Sequence, residues 1–342
     1  MTNRVNLVAG VTVSIAASTL LYIVLRPHLD QDVAADALPT PQDVADRCAA
    51  IKASVEDAGF SDKVKVSCDQ GHAHLTSTTY PDHELMTGIV GTNEQVPVPA
   101  KDYVAPIQLG PMLSDSPQTR DAALGVAVNG VPIFDYTGGG EMSVADLNHH
   151  QARHDTLQTQ QLDVCGGHAG RGDDYHYHVK PVCMIEQMKN KGDDAIIGWA
   201  FDGFPIYGDS NPDGSHIALG VLDICNGQAD KTFGYRYHTS AKAPYIIQCL
   251  MGAVGDVREL PRIQPLVPAE GGPGLAPGKP PQGGVQNLIF TQDSSGQRSM
   301  DYSYKGEAYY IRYTPTDKPN CYAFETRTVT NGGEVKTGEY CR

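Results

Sequence analysis

The pattern of apolar and polar positions divides the chain into distinct stretches. Val5 to Leu25 is a 21-residue run without a charge, bounded by Arg4 and Arg26. A helix rising ~1.5 Å per residue would just carry such a run across a ~30 Å hydrocarbon core. The run is long for a cleaved leader, and no small-x-small site follows its apolar end. Residues 1–29 are therefore expected to be a signal anchor, with secretion after cleavage as the alternative. Residues 30–41 form an acidic tether. In Gln42 to Ala58, Val44, Cys48, Ile51 and Val55 recur at helical spacing, and Val64 to Cys68 alternates as a strand. Residues 95–117 are proline-rich and read as extended. Residues 258–285 are rich in proline and glycine and read as a linker without a core. Residues 286–342 alternate again, through Leu288-Ile-Phe290, Tyr302-Ser-Tyr304, Tyr309-Tyr-Ile-Arg-Tyr313 and Cys321-Tyr-Ala-Phe324. They predict a small antiparallel module, marginal alone, which docks on the rest or depends on a disulfide.

Between these flanks the chain repeats itself. Gly125-Val-Ala-Val-Asn-Gly-Val-Pro-Ile-Phe134 aligns with Gly198-Trp-Ala-Phe-Asp-Gly-Phe-Pro-Ile-Tyr207, an offset of 73 residues (198 − 125). Leu162-Asp-Val-Cys-Gly-Gly-His-Ala169 aligns with Leu222-Asp-Ile-Cys-Asn-Gly-Gln-Ala229, and Tyr175-His-Tyr-His178 with Tyr235-Arg-Tyr-His238, both offset by 60 (222 − 162; 235 − 175). Three blocks in one order indicate a duplication, with copies at about 125–183 and 198–249 inside a domain spanning 42–257. Asn129-Gly130 and Asp202-Gly203 predict type I′ hairpins, and Pro132 and Pro205 place the strands that follow at an edge or bulge. The first copy is longer by 13 residues (73 − 60), an excess that falls in Glu141 to Gln161. That segment reads as a helix capped by Ser143, with His150 and His154 on one face. The fold class is mainly β, a β-rich α+β arrangement.

Composition sharpens this picture in two respects. A net charge of −14 argues against a nucleic-acid partner. Eight cysteines without a Cys-x-x-Cys pair read as four disulfides formed in an oxidising compartment. Cys48–Cys68 would join helix to strand and Cys321–Cys341 would close the C-terminal module. Cys165–Cys183 and Cys225–Cys249 would keep each copy self-contained, although a cross-copy pattern stays open.

The chemistry concentrates in Cys165-Gly-Gly-His168 and Tyr175-His-Tyr-His178. In a strand His176 and His178 share a face and Tyr175 and Tyr177 take the other. With His168 they make a candidate site for a transition metal, Cu or Zn, and His83, His150, His154 and His238 are candidates for a fourth position. The second copy has Gln228 and Arg236 where the first has His168 and His176, so only one copy keeps the ligand-type residues. The bland alternative is structural, with Asp163, Asp173 or Asp174 pairing the rings. Asp209-x-Asn211-x-Asp213-Gly214 opens like a calcium loop, but Gly220 stands where the bidentate Glu belongs and Pro212 interrupts it, so a polar turn is the preferred reading. His72 and His74 read as surface histidines. Arg171-Gly-Asp173 reads as part of a turn rather than an adhesion signal.

Tyr175-His-Tyr-His178, the Cys-Gly-Gly-His before it and Gly198-Trp-Ala-Phe-Asp-Gly-Phe-Pro-Ile-Tyr-Gly208 after it resemble the YHYH-domain family, from about Val64 to Gly252. Pro81-Asp-His83 resembles a further part of that pattern. The resemblance implies an extracytoplasmic, mostly bacterial domain and supplies no established substrate or catalytic residues. The chain is expected to be held at a bacterial inner membrane by its N-terminal helix, with a periplasmic or extracellular metal-binding domain that is also a candidate metalloenzyme. The alternatives are a surface module binding a small molecule, glycan or protein through its tyrosines, and a structural envelope domain without metal.

Overall fold

Helix α1, Pro41–Ala58, starts where Thr40 and Asp43 cap each other: the Thr40 hydroxyl accepts from the Asp43 amide, and the Asp43 carboxylate accepts from the Thr40 amide. It ends at Gly59, in the left-handed region at φ 89°. Ile51, Ser54, Val55 and Ala58 form its buried face. The Ser54 hydroxyl on that face accepts from the indole Nε1 of Trp199 at 2.9 Å. The computed structural model to which these elements belong describes residues 40–140, 142–273 and 278–342. The Val5 to Leu25 run lies outside them. Among the described residues no helix is long and apolar enough to cross a membrane.

The duplicated region forms one eight-stranded sheet. Its first half holds β1 (Gly125–Ala127), β2 (Pro132–Ile133), β3 (Gly167–Ala169) and β4 (Tyr175–Tyr177). Its second half holds β5 (Gly198–Ala200), β6 (Pro205–Tyr207), β7 (Gly227–Asp230) and β8 (Gly234–His238). The strand order is β7-β8-β6-β5-β1-β2-β4-β3, a palindrome of equivalent strands. The halves meet where antiparallel β1 and β5 pair Gly125 with Ala200, Val126 with Trp199 and Ala127 with Gly198. Residues 73 apart are equivalent, so this pairing is its own mirror image and a pseudo-twofold axis passes through Val126–Trp199. Glycine is needed at the seam: a Cβ on Gly125 would stand 2.5 Å from the Trp199 carbonyl oxygen, and one on Gly198 2.9 Å from that of Val126.

The polar scaffold obeys the same symmetry. Tyr175 donates to Asp163, and Tyr235 donates to Asp223. Each carboxylate also accepts from the amides of the following cysteine and glycine, Cys165 and Gly167 or Cys225 and Gly227. Asn129 donates to the Tyr177 hydroxyl, and the Tyr237 hydroxyl donates to Asp202. The four disulfides join Cys48–Cys68, Cys165–Cys183, Cys225–Cys249 and Cys321–Cys341, with no free cysteine.

Several expectations need correction. The Asn-Gly and Asp-Gly turns are not type I′, because only Gly130 (φ 83°) and Gly203 (φ 90°) have positive φ, not Asn129 or Asp202. They are the longer kind that ends on one left-handed glycine. Pro132 and Pro205 open strands in the sheet interior rather than at an edge, which the first position of a strand tolerates. The described part of the Glu141 to Gln161 stretch, residues 142–161, is not a helix. Ser143 does bond Asp146, but only one 3-10 turn, Asp146–Asn148, forms. Beyond it the fully buried Asp155 carboxylate takes the His150 ring (2.7 Å), the Tyr245 hydroxyl and the Gln158 amide. Side-chain capture of this kind competes directly with helix hydrogen bonds.

The stretch after 257 is not a bare tether. Leu266 is fully buried, Arg120 donates to the Leu260 and Pro261 carbonyls, and Val267–Pro268 pairs with Val335–Cys341. With Val267–Pro268 the five C-terminal strands form a six-stranded sheet docked on the proline-rich segment near residue 95. Tyr302 donates to Glu94, Tyr313 to the Pro97 carbonyl, and Arg342 to the carbonyls of Val98, Pro99 and Asp173.

The symmetry makes a test of the scaffold available. Asp202→Ala strands the Tyr237 hydroxyl and the Gly252 amide in the core and should destabilise by about 2–4 kcal/mol. Asp202→Asn, the first copy's residue at this place, should cost less than half as much. Urea unfolding followed through Trp199, the chain's one tryptophan, checks both; equal losses would contradict the assignment.

Candidate functional site

Strand alternation sends His176 and His178 to one face of β4 while Tyr175 and Tyr177 are locked on the other. Antiparallel β3 then sets His168 directly opposite His176. The three rings lie within 4.7–5.0 Å of one another, centroid to centroid, and all are buried. One ring nitrogen from each falls within 4.8 Å of the others. His176 is also stacked on Phe134 at 4.0 Å.

Each ring has a backbone carbonyl at Nδ1: Gln161 for His168 at 3.0 Å, Asp135 for His178, and Asp174 for His176 at 3.3 Å. A carbonyl only accepts, so Nδ1 carries the proton in each case and Nε2 is left as a bare lone pair. His168 Nε2 and His178 Nε2 face each other at 3.1 Å. Neither has a proton to give. Burial and the neighbouring rings also oppose the imidazolium, taking His168 down to about 3 and His178 further below its ordinary range. Two converging lone pairs in a buried site are an arrangement that could hold a cation. Two imidazole nitrogens ~2.1 Å from one tetrahedral ion would stand about 3.4 Å apart, close to the observed spacing. Outer carbonyl partners that fix the tautomer are the usual support of metal-ligating histidine.

The rings form the floor of a cleft of about 440 Å³. Phe134, Pro132 and Ile263 supply apolar wall, and Arg171, Arg262 and Asp121 supply charge. Tyr103 and Asp174 also line it; the Tyr103 hydroxyl and one Asp174 oxygen are buried without a hydrogen-bond partner among the described residues. That oxygen, Oδ2, stands 3.4 Å from His176 Nδ1. The site backs onto Asp135, whose carboxyl is raised to about 7 by burial.

Residues 105–216 match the family model described as YHYH protein, a third of the chain. The chain carries a YHYH domain. No curated protein and no solved structure matches it. The match takes in all of the first copy and the start of the second, so Pro81-Asp-His83 and the motifs after residue 216 lie outside it.

Within and around the YHYH domain the other candidate ligands lie apart from the three rings. His83 sits on the tyrosine face, bonded through Nε2 to the Tyr177 hydroxyl at 2.7 Å and through Nδ1 to the Glu84 carbonyl. It is also near Cys165 and Cys183, whose sulfurs are committed to their disulfide. His150 is held by Asp155, and His154 is exposed on the insertion. His238 belongs to the other half of the sheet. The calcium-loop residues are each engaged separately: Asp209 by Lys180 and Thr239, Asn211 by Gln228 and Arg236, Asp213 by Ser215. Asp173 is buried and accepts from the Leu266 amide, so Arg171-Gly-Asp173 is not presented for adhesion. Asp163 binds Tyr175 rather than a histidine.

The second half of the sheet shows the same positions with different chemistry. His238 Nδ1 faces the Gly208 carbonyl, the equivalent of Asp135. Its Nε2 lies 3.0 Å from Gln228 Nε2. There the contact is an ordinary hydrogen bond, because the amide supplies a proton. Arg236 takes the place of His176, is 1% exposed, and puts its guanidinium against Asp230 at 2.7 Å and Asn211 at 2.6 Å. Asp230 in turn stands where the first copy has Gly170. A Cβ on Gly170 would lie 2.4 Å from His176 Cε1, so glycine there admits the ring. The sequence comparison identified the 168/228 and 176/236 exchanges. It missed Tyr103, Phe134, the Gly170/Asp230 exchange and the three carbonyls, of which only Gly170/Asp230 could have been found by extending the alignment.

In chelator-treated protein, His168 takes its proton near pH 3 when folded and near 6.5 when unfolded. Its contribution to stability is full above pH 6.5 and is lost as pH falls toward 3, at up to about 1.4 kcal/mol per pH unit. His168→Gln should flatten the pH dependence of urea stability between pH 6 and about 4. An unchanged slope would contradict the buried, neutral assignment.

Proposed function

We propose that the chain is an extracytoplasmic metal-binding protein in which His168, His176 and His178 hold one Zn or Cu ion at the floor of an open cleft, an arrangement suited to a metalloenzyme. The carrying observation is the 3.1 Å contact between His168 Nε2 and His178 Nε2, both proton-free because both Nδ1 atoms serve carbonyls. Arg236 supports it: where the second half lacks two of the three imidazoles, it buries a cation of its own.

His168, His176 and His178 would hold a divalent ion through three neutral imidazoles that leave its full charge, and the open cleft above them favours catalysis or small-ligand binding over a closed structural site. Such an ion supplies Lewis acidity. The chain supplies the rest. Gln161, Asp135 and Asp174 hold the rings in one tautomer, Phe134 fixes His176 by stacking, and Ile263 and Pro132 restrict water. Four disulfides support an oxidising compartment, and the Val5 to Leu25 run supports attachment to a membrane there. A tyrosine-based contact surface is less favoured, because Tyr175 and Tyr177 are buried and bonded to Asp163 and Asn129.

Metal analysis after dialysis against Zn(II) or Cu(II) tests this reading. One equivalent per chain is expected, with a loss of at least tenfold in affinity for His176→Ala and little change for His150→Ala. A metal-free wild type, or unchanged metal content in His176→Ala, would overturn it.

A further inference from the structure

We propose that the cleft above the three histidines takes a small organic carboxylate, an inference that rests on the metal-binding reading. The chain as a whole is acidic at −14, yet the wall is not. Arg171 and Arg262 line the cleft, and the buried Arg120 donates, among the described residues, only to the Leu260 and Pro261 carbonyls. Arg262 is close enough that its charge, together with burial, lowers Arg120 to about 10. Against these stand two carboxylates. Asp121 is shared: its side chain pairs with Arg171 at 3.3 Å and its carbonyl accepts from Arg262. Asp174 is turned toward His176. With a divalent ion on three neutral rings the balance is clearly positive, and a local field of this sign selects an anion.

The second, independent observation is Tyr103. The residue is 5% exposed and lines the cleft, and its hydroxyl is buried without a hydrogen-bond partner among the described residues. Burial and the nearby Asp174 charge keep it protonated, so it is a donor in search of an acceptor. A buried hydroxyl left unpaired costs free energy, and a carboxylate oxygen is the acceptor it suits best. Phe134, Ile263 and Pro261 offer apolar surface for the remainder of the molecule, and the cleft volume of about 440 Å³ limits it to small ligands. Asp121 and Asp174 would repel a dianion more strongly than a monoanion, which favours a carboxylate over a phosphate.

The test uses the full chain loaded with Co(II), whose absorption spectrum reports changes at the metal. Benzoate, the neutral isostere benzamide and inorganic phosphate are titrated separately. A saturable spectral change with benzoate is expected, at least about tenfold weaker with benzamide and with phosphate. Tyr103→Phe, and Arg171→Ala with Arg262→Ala, should each weaken benzoate by about tenfold while Co(II) content and Trp199 fluorescence stay as in the wild type. Protein that loads Co(II) but shows no saturable benzoate response overturns the carboxylate proposal alone. So does equal binding of benzamide or phosphate, or wild-type benzoate affinity in both variants. Protein that fails to load Co(II) overturns the metal reading itself and this inference with it.

Discussion

Two imidazole nitrogens facing each other without a proton between them are the constraint on which the site depends. The contact is not an accident of crowding. Each ring is turned by a backbone carbonyl that fixes its tautomer, and each carbonyl belongs to a different part of the first copy: Gln161 to the insertion, Asp135 to the chain after β2, Asp174 to the turn before β4. Burial disfavours the imidazolium of both His168 and His178. What remains is a set of converging nitrogen donors held in place by the fold, the basis of the proposed metal site.

The doubled sheet explains how such a site can be afforded. Its pseudo-twofold seam rests on glycines present in both copies, Gly125 and Gly198, and the tyrosine–carboxylate lock on Tyr175 with Asp163 and Tyr235 with Asp223, so the scaffold does not rely on the histidines. The second half keeps every lock and changes the contents. Gln228 turns the facing contact into a hydrogen bond, and Arg236 with Asp230 fills the space as an ion pair. Where the first half has Gly170 and His176 the second has Asp230 and Arg236, a steric allowance in one and a charge pair in the other. The two halves act as an internal control, with one strand arrangement, one shared carbonyl position (Asp135 and Gly208) and two solutions to the same electrostatic problem.

Much of this was legible in the sequence. The period-two alternation in Tyr175 to His178 set the faces, the constant offset of 60 set the register, and the cysteine spacing matched the disulfides, because all three are local. The errors arose where tertiary contacts override local signals. Glu141 to Gln161 has helical periodicity, but buried Asp155 gathers its polar groups from the side. Residues 258–285 have the composition of a linker, yet Pro261 to Ile263 wall the cleft, anchored where Arg120 holds the Leu260 and Pro261 carbonyls. His83 and His238 carry the right side chain but belong to the opposite face and the opposite half. Tyr103 was invisible as a site residue, since nothing in its neighbourhood along the chain marks it.

X-ray absorption at the metal edge of protein loaded with one equivalent of Zn(II) tests the central claim most directly. The account predicts three imidazole ligands at about 2.0–2.1 Å, with one further light-atom ligand. A shell of oxygen alone, or fewer than two imidazoles, would contradict it.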